Sequence, residues 1–204
     1  MMMMMMMMSL LLILALTFPA ASGFSRHQTA VVPVRVVVQT AAGDIEIEID
    51  TVHAPATAVN FLKYVDAELY NDGRFHRTVR PDNQPDNAIK IEVIQGAATN
   101  ARPSDVFPAI ALERTSVTGL SHKDGTLSMA RSTPDTATQE FFICIGDQPE
   151  LDFGGRRNPD GQGFAAFGRV VRGMDVARKI QAAPAKGQTL TPPIQIVNVR
   201  RVLM

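Results

Sequence analysis

The chain has 204 residues, 46% of them hydrophobic, which suits one ordinary globular domain with a sizeable core. Its 20 basic and 20 acidic side chains cancel, and a chain without net charge is a poor partner for nucleic acid, whose binders carry a clustered basic excess. The paired arginines Arg156-Arg157 and Arg200-Arg201 read as solvated surface, and the single Cys144 excludes an intrachain disulfide.

From Met1 to Phe24 no residue is charged, and Leu10 to Leu16 is almost purely aliphatic. Small residues follow at Ala20-Ala21-Ser22-Gly23. Residues 1–23 are therefore expected to be a signal peptide, with an uncleaved membrane anchor as the alternative, although eight leading methionines are not a positive n-region. Residues 24–33 read as a linker and 34–204 as the folded domain, placed by export in the periplasm or outside the cell.

The domain opens with strand material. Val34 to Thr40 is rich in β-branched residues, and Asp44 to Asp50 alternates isoleucine with acid at period two. Turn residues at Ala42-Gly43-Asp44 make the pair a hairpin. Val59, Leu62, Val65 and Leu69 then recur at helical spacing, with Pro55 suited to a first turn. Further strands are expected at 89–95, 126–130, 141–145, 165–171 and 194–202, and a second helix at 174–181 with Met174, Ala177 and Ile180 inward. Many short strands with two helices suggest a closed barrel plugged at its ends, which leaves no sheet edge exposed. Two long irregular stretches, 80–87 and 149–163, are expected at the rim of a pocket.

Three stretches carry the chemistry. Phe75-His76-Arg77-Thr78-Val79, Val93-Ile94-Gln95-Gly96 and Phe141-Phe142-Ile143-Cys144 each set a polar or aromatic side chain among alternating apolar ones. Arg77 keeps its charge and offers donors in a fixed fork; Gln95 can donate and accept; Phe142 is an apolar wall. Such a pocket can hold and polarise an amide, and nothing in it attacks one. His76 reads as a satisfied core histidine and Cys144 as a small core residue. Asp152-Phe153-Gly154 lacks the loops that would make it a kinase triplet, and no cluster has metal-ligand spacing, so neither metal nor cofactor is expected.

Read together, these stretches resemble the cyclophilin-type peptidyl-prolyl cis-trans isomerases. The likeness runs over about residues 34–203 and includes Ala56-Thr57-Ala58-Val59-Asn60-Phe61, Gly125-Thr126-Leu127-Ser128-Met129-Ala130 and Phe164-Ala165-Ala166-Phe167-Gly168 in order. It implies a mainly β fold, a closed eight-stranded antiparallel barrel capped by two α-helices. It implies Arg77 as the catalytic donor, and Gln95, Val93, Ala130, Phe142, Leu151 and Phe164 as the residues that hold the substrate. The implied partners are proline-containing polypeptides met by a monomer. Departures from the family's pattern fall at Glu92, Arg131, Glu140, Glu150 and Phe164, where it usually has Phe, Asn, Gln, an aromatic and His; Val93 stands where it usually has Met. The charges at Glu92, Arg131 and Glu140 are expected near Arg77, and a carboxylate pairing with it would lower activity. The alternative reading is a noncatalytic module that holds proline-containing segments.

Overall fold

The computed structural model describes residues 33–98 and 107–202. The chain separates into a unit over Met1–Val31 and a unit over Val32–Met204, and the architecture below belongs to the second. The expected signal peptide and nearly all of the linker lie outside the described residues.

Strands β1 (Val34–Thr40) and β2 (Gly43–Ile49) form the expected hairpin in antiparallel register. In β2 the isoleucines at 45, 47 and 49 are buried, while Glu46 and Glu48 point outward to Arg35, Arg169 and Arg172. Helix α1 (Pro55–Asp66) begins at the proline, as its missing N–H predicts. Its first amides, on Ala56 and Thr57, donate to the carboxylate of Glu113 at 3.1 and 2.7 Å. A negative charge is well placed there against the helix dipole. Ala58, Phe61, Leu62 and Val65 face inward, but Val59 does not. It shares the outer row with Lys63 and Asp66 and is 50% exposed.

After α1 come β3 (Arg74–Val79), β4 (Val93–Ala97), α2 (Thr115–Thr118), β5 (Thr126–Met129) and β6 (Phe141–Cys144). The chain continues through β7 (Ala165–Arg172), α3 (Met174–Gln181), β8 (Ala185–Lys186) and β9 (Thr189–Arg201). Around the sheet the order is β1-β2-β7-β5-β6-β4-β3-β9, and β9 pairs back to β1. Every pairing is antiparallel, so eight strands close the barrel that the sequence implied; two-residue β8 is only an appendage of β9.

Three corrections follow. Among the described residues there are three helices, not two: α2 is a single turn ended by Gly119 at φ 73°, and Thr-Ser-Val-Thr carries no apolar period to announce it. The strand expected over 89–95 starts only at Val93. Before it the chain wraps around the buried side chain of Gln84, whose Nε2 donates to the carbonyls of Arg80 and Ile91, both at 2.8 Å, so those residues are not free to pair in the sheet. The last strand begins five residues earlier than its expected start, at Thr189.

Two apolar clusters result. One fills the barrel, with Phe61 packed on Tyr70, Phe141 and Phe167 at ring separations of 5.2, 5.5 and 5.3 Å. The other lies on the outside of the sheet and joins Val79, Ile91, Val93, Phe142, Cys144 and Leu151. Strand alternation explains the division: Ile94, Phe141 and Ile143 point in, while Val93, Phe142 and Cys144 point out. Since Phe61 joins helix to barrel and is fully buried, Phe61→Ala is expected to cost about 3–5 kcal/mol in urea unfolding, with the fold retained.

Candidate active site

The outer cluster floors a cavity of about 200 Å³, and all seven residues singled out in the sequence line it. Three of them come from neighbouring strands. Arg77 of β3 stands opposite Gln95 of β4, and Gln95 opposite Phe142 of β6. Val93 enters from β4, Ala130 follows β5, Leu151 ends a short turn over Pro149–Leu151, and Phe164 precedes β7. A larger hollow of about 460 Å³, beside Arg74, His76 and Glu140, contains none of the seven.

A regular strand would set Phe75 and Arg77 on one face, because side chains alternate with period two. Instead the register of β3 shifts between them against both β4 and β9. This bulge at His76 leaves Phe75 inside the barrel and turns Arg77 to the outer cavity.

The guanidinium is then fixed by amides. Nη1 donates to Gln95 Oε1 at 2.9 Å, while Nε and Nη2 both donate to Gln188 Oε1 at 2.9 and 2.6 Å. Three of the five N–H donors of an arginine are thus used, and two remain. Burial pulls the Arg77 pKa down and Glu140 pulls it up, but the group stays charged at any pH of interest. Gln188 was not anticipated from the sequence. It sits in the tight turn between β8 and β9, a stretch with no apolar pattern. Its carbonyl accepts from Thr78 N–H at 2.9 Å and its Nε2 donates to the Asn83 carbonyl at 3.2 Å.

Of the three charges expected to pair with Arg77 or its neighbours, none bonds to Arg77 itself, and Glu140 bonds to its neighbour Gln95. Glu140 accepts from Gln95 Nε2 and lies 3.9 Å from His76 Nε2. Glu92 accepts from Gln181 Nε2 at 2.9 Å. Arg131 holds both Asp160 oxygens, at 2.8 and 2.9 Å, and its guanidinium lies 5.1 Å over the Phe164 ring. None of the three takes a donor from Arg77, so the arginine keeps its charge unpaired by carboxylate among the described residues. His76 is half-buried, and burial holds its pKa below the ordinary histidine value against the pull of Glu140.

Apolar contacts form the opposite wall. Phe142 and Phe164 meet edge to face at 5.3 Å, and the His122 ring stacks behind Phe142 at 5.9 Å. His122 is a second residue that sequence reading missed, since it stands in a turn without periodicity. It is buried, with Nδ1 2.6 Å from Asp152 Oδ1 and Nε2 3.0 Å from Ser128 Oγ. A Ser-His-Asp order of this kind suggests a nucleophile, but Ser128 has no exposed surface and does not line the cavity. Here the three side chains brace the Phe142 ring.

Of the two long loops, only 149–163 reaches the rim, through Leu151, Arg157 and Asn158. Residues 80–87 are drawn away around Gln84 and line no part of it, contrary to expectation. Arg156-Arg157 also needs correction. Arg156 is solvated and paired with Glu150, whereas Arg157 turns into the cavity and donates to the Ile89 carbonyl at 2.8 Å. Among the described residues, no serine, threonine, cysteine, histidine, lysine or carboxylate lines the cavity, and those that do can bind and polarise a group.

Comparison with known proteins agrees with this geometry. Residues 35–201 match the family described as cyclophilin type peptidyl-prolyl cis-trans isomerase/CLD. The peptidyl-prolyl cis-trans isomerase A of Dickeya dadantii is 34% identical over 166 residues, 81% of this chain and 80% of that protein. Peptidyl-prolyl cis-trans isomerase B of Escherichia coli is 35% identical over 147 residues, 72% of this chain and 83% of its own. Among solved structures, a cyclophilin-type isomerase of Cryptosporidium parvum superposes with a TM-score of 0.67 at 20% identity, covering 83% of this chain and 99% of that one. Fold and sequence agree, and the chain belongs to the cyclophilin-type peptidyl-prolyl cis-trans isomerases.

Proposed function

We propose that the chain speeds rotation about X-Pro bonds in extended or unfolded polypeptides, and so assists their folding, with Arg77 as the electrophilic donor. The observation that carries this reading is the guanidinium held by Gln95 and Gln188, with two donors left, beside a cavity that also carries the apolar side chains Val93, Phe142, Leu151 and Phe164. The prolyl amide resists rotation by ~20 kcal/mol because of its partial double-bond character. Twisting breaks that resonance and leaves a lone pair on the proline nitrogen. A preorganised donor aimed at that nitrogen stabilises the twisted state more than the planar one, and most strongly where water is excluded. Phe142, Leu151, Phe164, Val93 and Ala130 would grip the ring, while Gln95 would hold the adjoining backbone. The Cryptosporidium relative was crystallised in the presence of the dipeptide Ala-Pro, which supports a proline in this cavity. The uncharged N-terminal stretch supports work on exported chains, in the periplasm or outside the cell.

Prolyl exchange in a short Ala-Pro peptide, followed by NMR, tests the role of Arg77. Arg77→Ala is expected to lower kcat/KM by about 10²–10³-fold, the range for loss of one preorganised donor, with the peptide still bound. A variant as active as wild type would remove Arg77 from the mechanism. If neither protein speeds exchange yet both bind, the chain is a proline-holding module instead.

Gln188→Ala is expected to lower kcat by about tenfold with little change in KM, since it frees the fork without emptying the cavity. An unchanged Nε–H signal of Arg77 in the variant would refute that role.

The pH profile follows from His76. Its lowered pKa keeps it neutral at pH 7, and it gains charge only as the pH falls below the ordinary histidine range. The imidazolium would draw Glu140 from Gln95 and crowd Arg77. Activity is expected to be flat through neutral pH and to fall on the acid side, with His76→Gln removing the fall. Because the folded pKa lies below the unfolded one, the contribution to stability is whole above the unfolded value and is lost as the pH falls from there through the folded value.

A further inference from the structure

Two guanidinium groups line the cavity with no carboxylate among the described residues bonded to either. Three arginines line it, at 77, 131 and 157, and among the described residues no aspartate or glutamate does. Arg131 is balanced by Asp160 through two hydrogen bonds. Arg77 bonds only to amide oxygens, and the Arg157 side chain bonds only to the Ile89 carbonyl. Glu150 is paired with Arg156, Glu92 accepts from the Gln181 amide, and Glu140, whose charge acts on Arg77 without bonding to it, accepts from the Gln95 amide, so no carboxylate among the described residues is bonded to Arg157.

Arg157 and Arg77 line the same cavity, and Arg157 feels the Arg77 charge. Burial lowers the Arg157 pKa first, and the Arg77 charge lowers it further. Two like charges taken partly out of water cost free energy, and an arginine needed only to clasp the Ile89 carbonyl would not require a second cation beside it. One N–H of Arg157 serves that carbonyl, which leaves four for another acceptor. Asn158, next along the loop, lines the cavity beside it and adds an amide. Successive residues of an extended peptide lie about 3.3 Å apart, so with the proline ring on Phe142 a neighbouring residue is carried to this rim.

We propose that Arg157, with Arg77 and Asn158, forms an anion-binding edge that selects substrates with an acidic side chain next to the proline. The anion is a carboxylate or a phosphorylated hydroxyl, since both present the oxygens a guanidinium fork accepts. This inference rests on the isomerase reading of the cavity and names the class of polypeptide it prefers.

The test uses the full chain and peptides in which the residue before the proline, or the one after it, is glutamate, phosphoserine, alanine or lysine. The quantity read is the ratio of kcat/KM for the acidic peptide to that for the lysine peptide at the same position. At one of the two positions this ratio is expected to reach about tenfold, equivalent to ~1.4 kcal/mol. It should shrink toward one in Arg157→Gln, survive in Arg157→Lys, and fall as salt is raised from about 0.05 to about 0.5 M. A larger gain with phosphoserine than with glutamate identifies the dianion as the better ligand, and the reverse identifies the carboxylate. A wild-type ratio near one, with the alanine peptide still turned over, overturns the inference and leaves the isomerase reading intact. A ratio unchanged in Arg157→Gln also overturns it. If no peptide is isomerised, the isomerase reading fails, and the same ratio taken from peptide Kd values decides the inference by itself.

Discussion

Everything at the active site depends on one extra residue in one strand. The bulge at His76 breaks the alternation of β3, so that a phenylalanine two positions before the arginine enters the barrel while the arginine leaves it. Without the shift, Arg77 would follow Phe75 into a dry interior, where an unpaired guanidinium costs several kcal/mol. Val79 would then face inward as well, and β3 would add nothing to the outer cluster that β4 and β6 build by plain alternation. The bulge lets one sheet carry a packed core inside and a binding surface outside.

The way Arg77 is held has a physical logic of its own. A carboxylate would hold a guanidinium at least as firmly, but it would also cancel the charge that we propose acts on the prolyl nitrogen. Amide oxygens fix direction and leave the charge in place, and the pair Gln95 and Gln188 grips it from two sides. Glu140 enters one step removed: by accepting from Gln95 Nε2 it sets which end of that amide faces the arginine. A preorganised donor of this kind loses nothing to reorientation when the prolyl bond twists.

Much of this was legible in the sequence because it rests on local pattern. The strict alternation of β2, the first-turn proline of α1 and the period of α3 each reappear where expected. The seven pocket residues, which the family resemblance implied, do share one cavity, although Leu151 and Phe164 lie outside any strand. What escaped was set by distant contacts. Val59 fits the helical period, but the neighbouring elements decide which side of α1 is wet. The stretch before Val93 has the composition of a strand, yet a single buried glutamine claims its backbone. Gln188 and His122 lie in turns, and only the closed barrel brings them to Arg77 and Phe142. Arg157 looked like half of a surface pair because sequence, though it put the loop 149–163 at the rim, does not tell which of two adjacent arginines turns inward.

The closing seam of the barrel constrains how the chain is made. β1 pairs with β2 on one side and with β9, the last strand of the ring, on the other. Until β9 has been synthesised, the second side of β1 is an open template of backbone donors and acceptors, and Val36, Val37 and Val38 beside it have no cover. The ring therefore cannot close before β9 has been made. A ribosome stalled before Thr189 would hold a chain whose most exposed feature is an edge seeking any strand that will add to it.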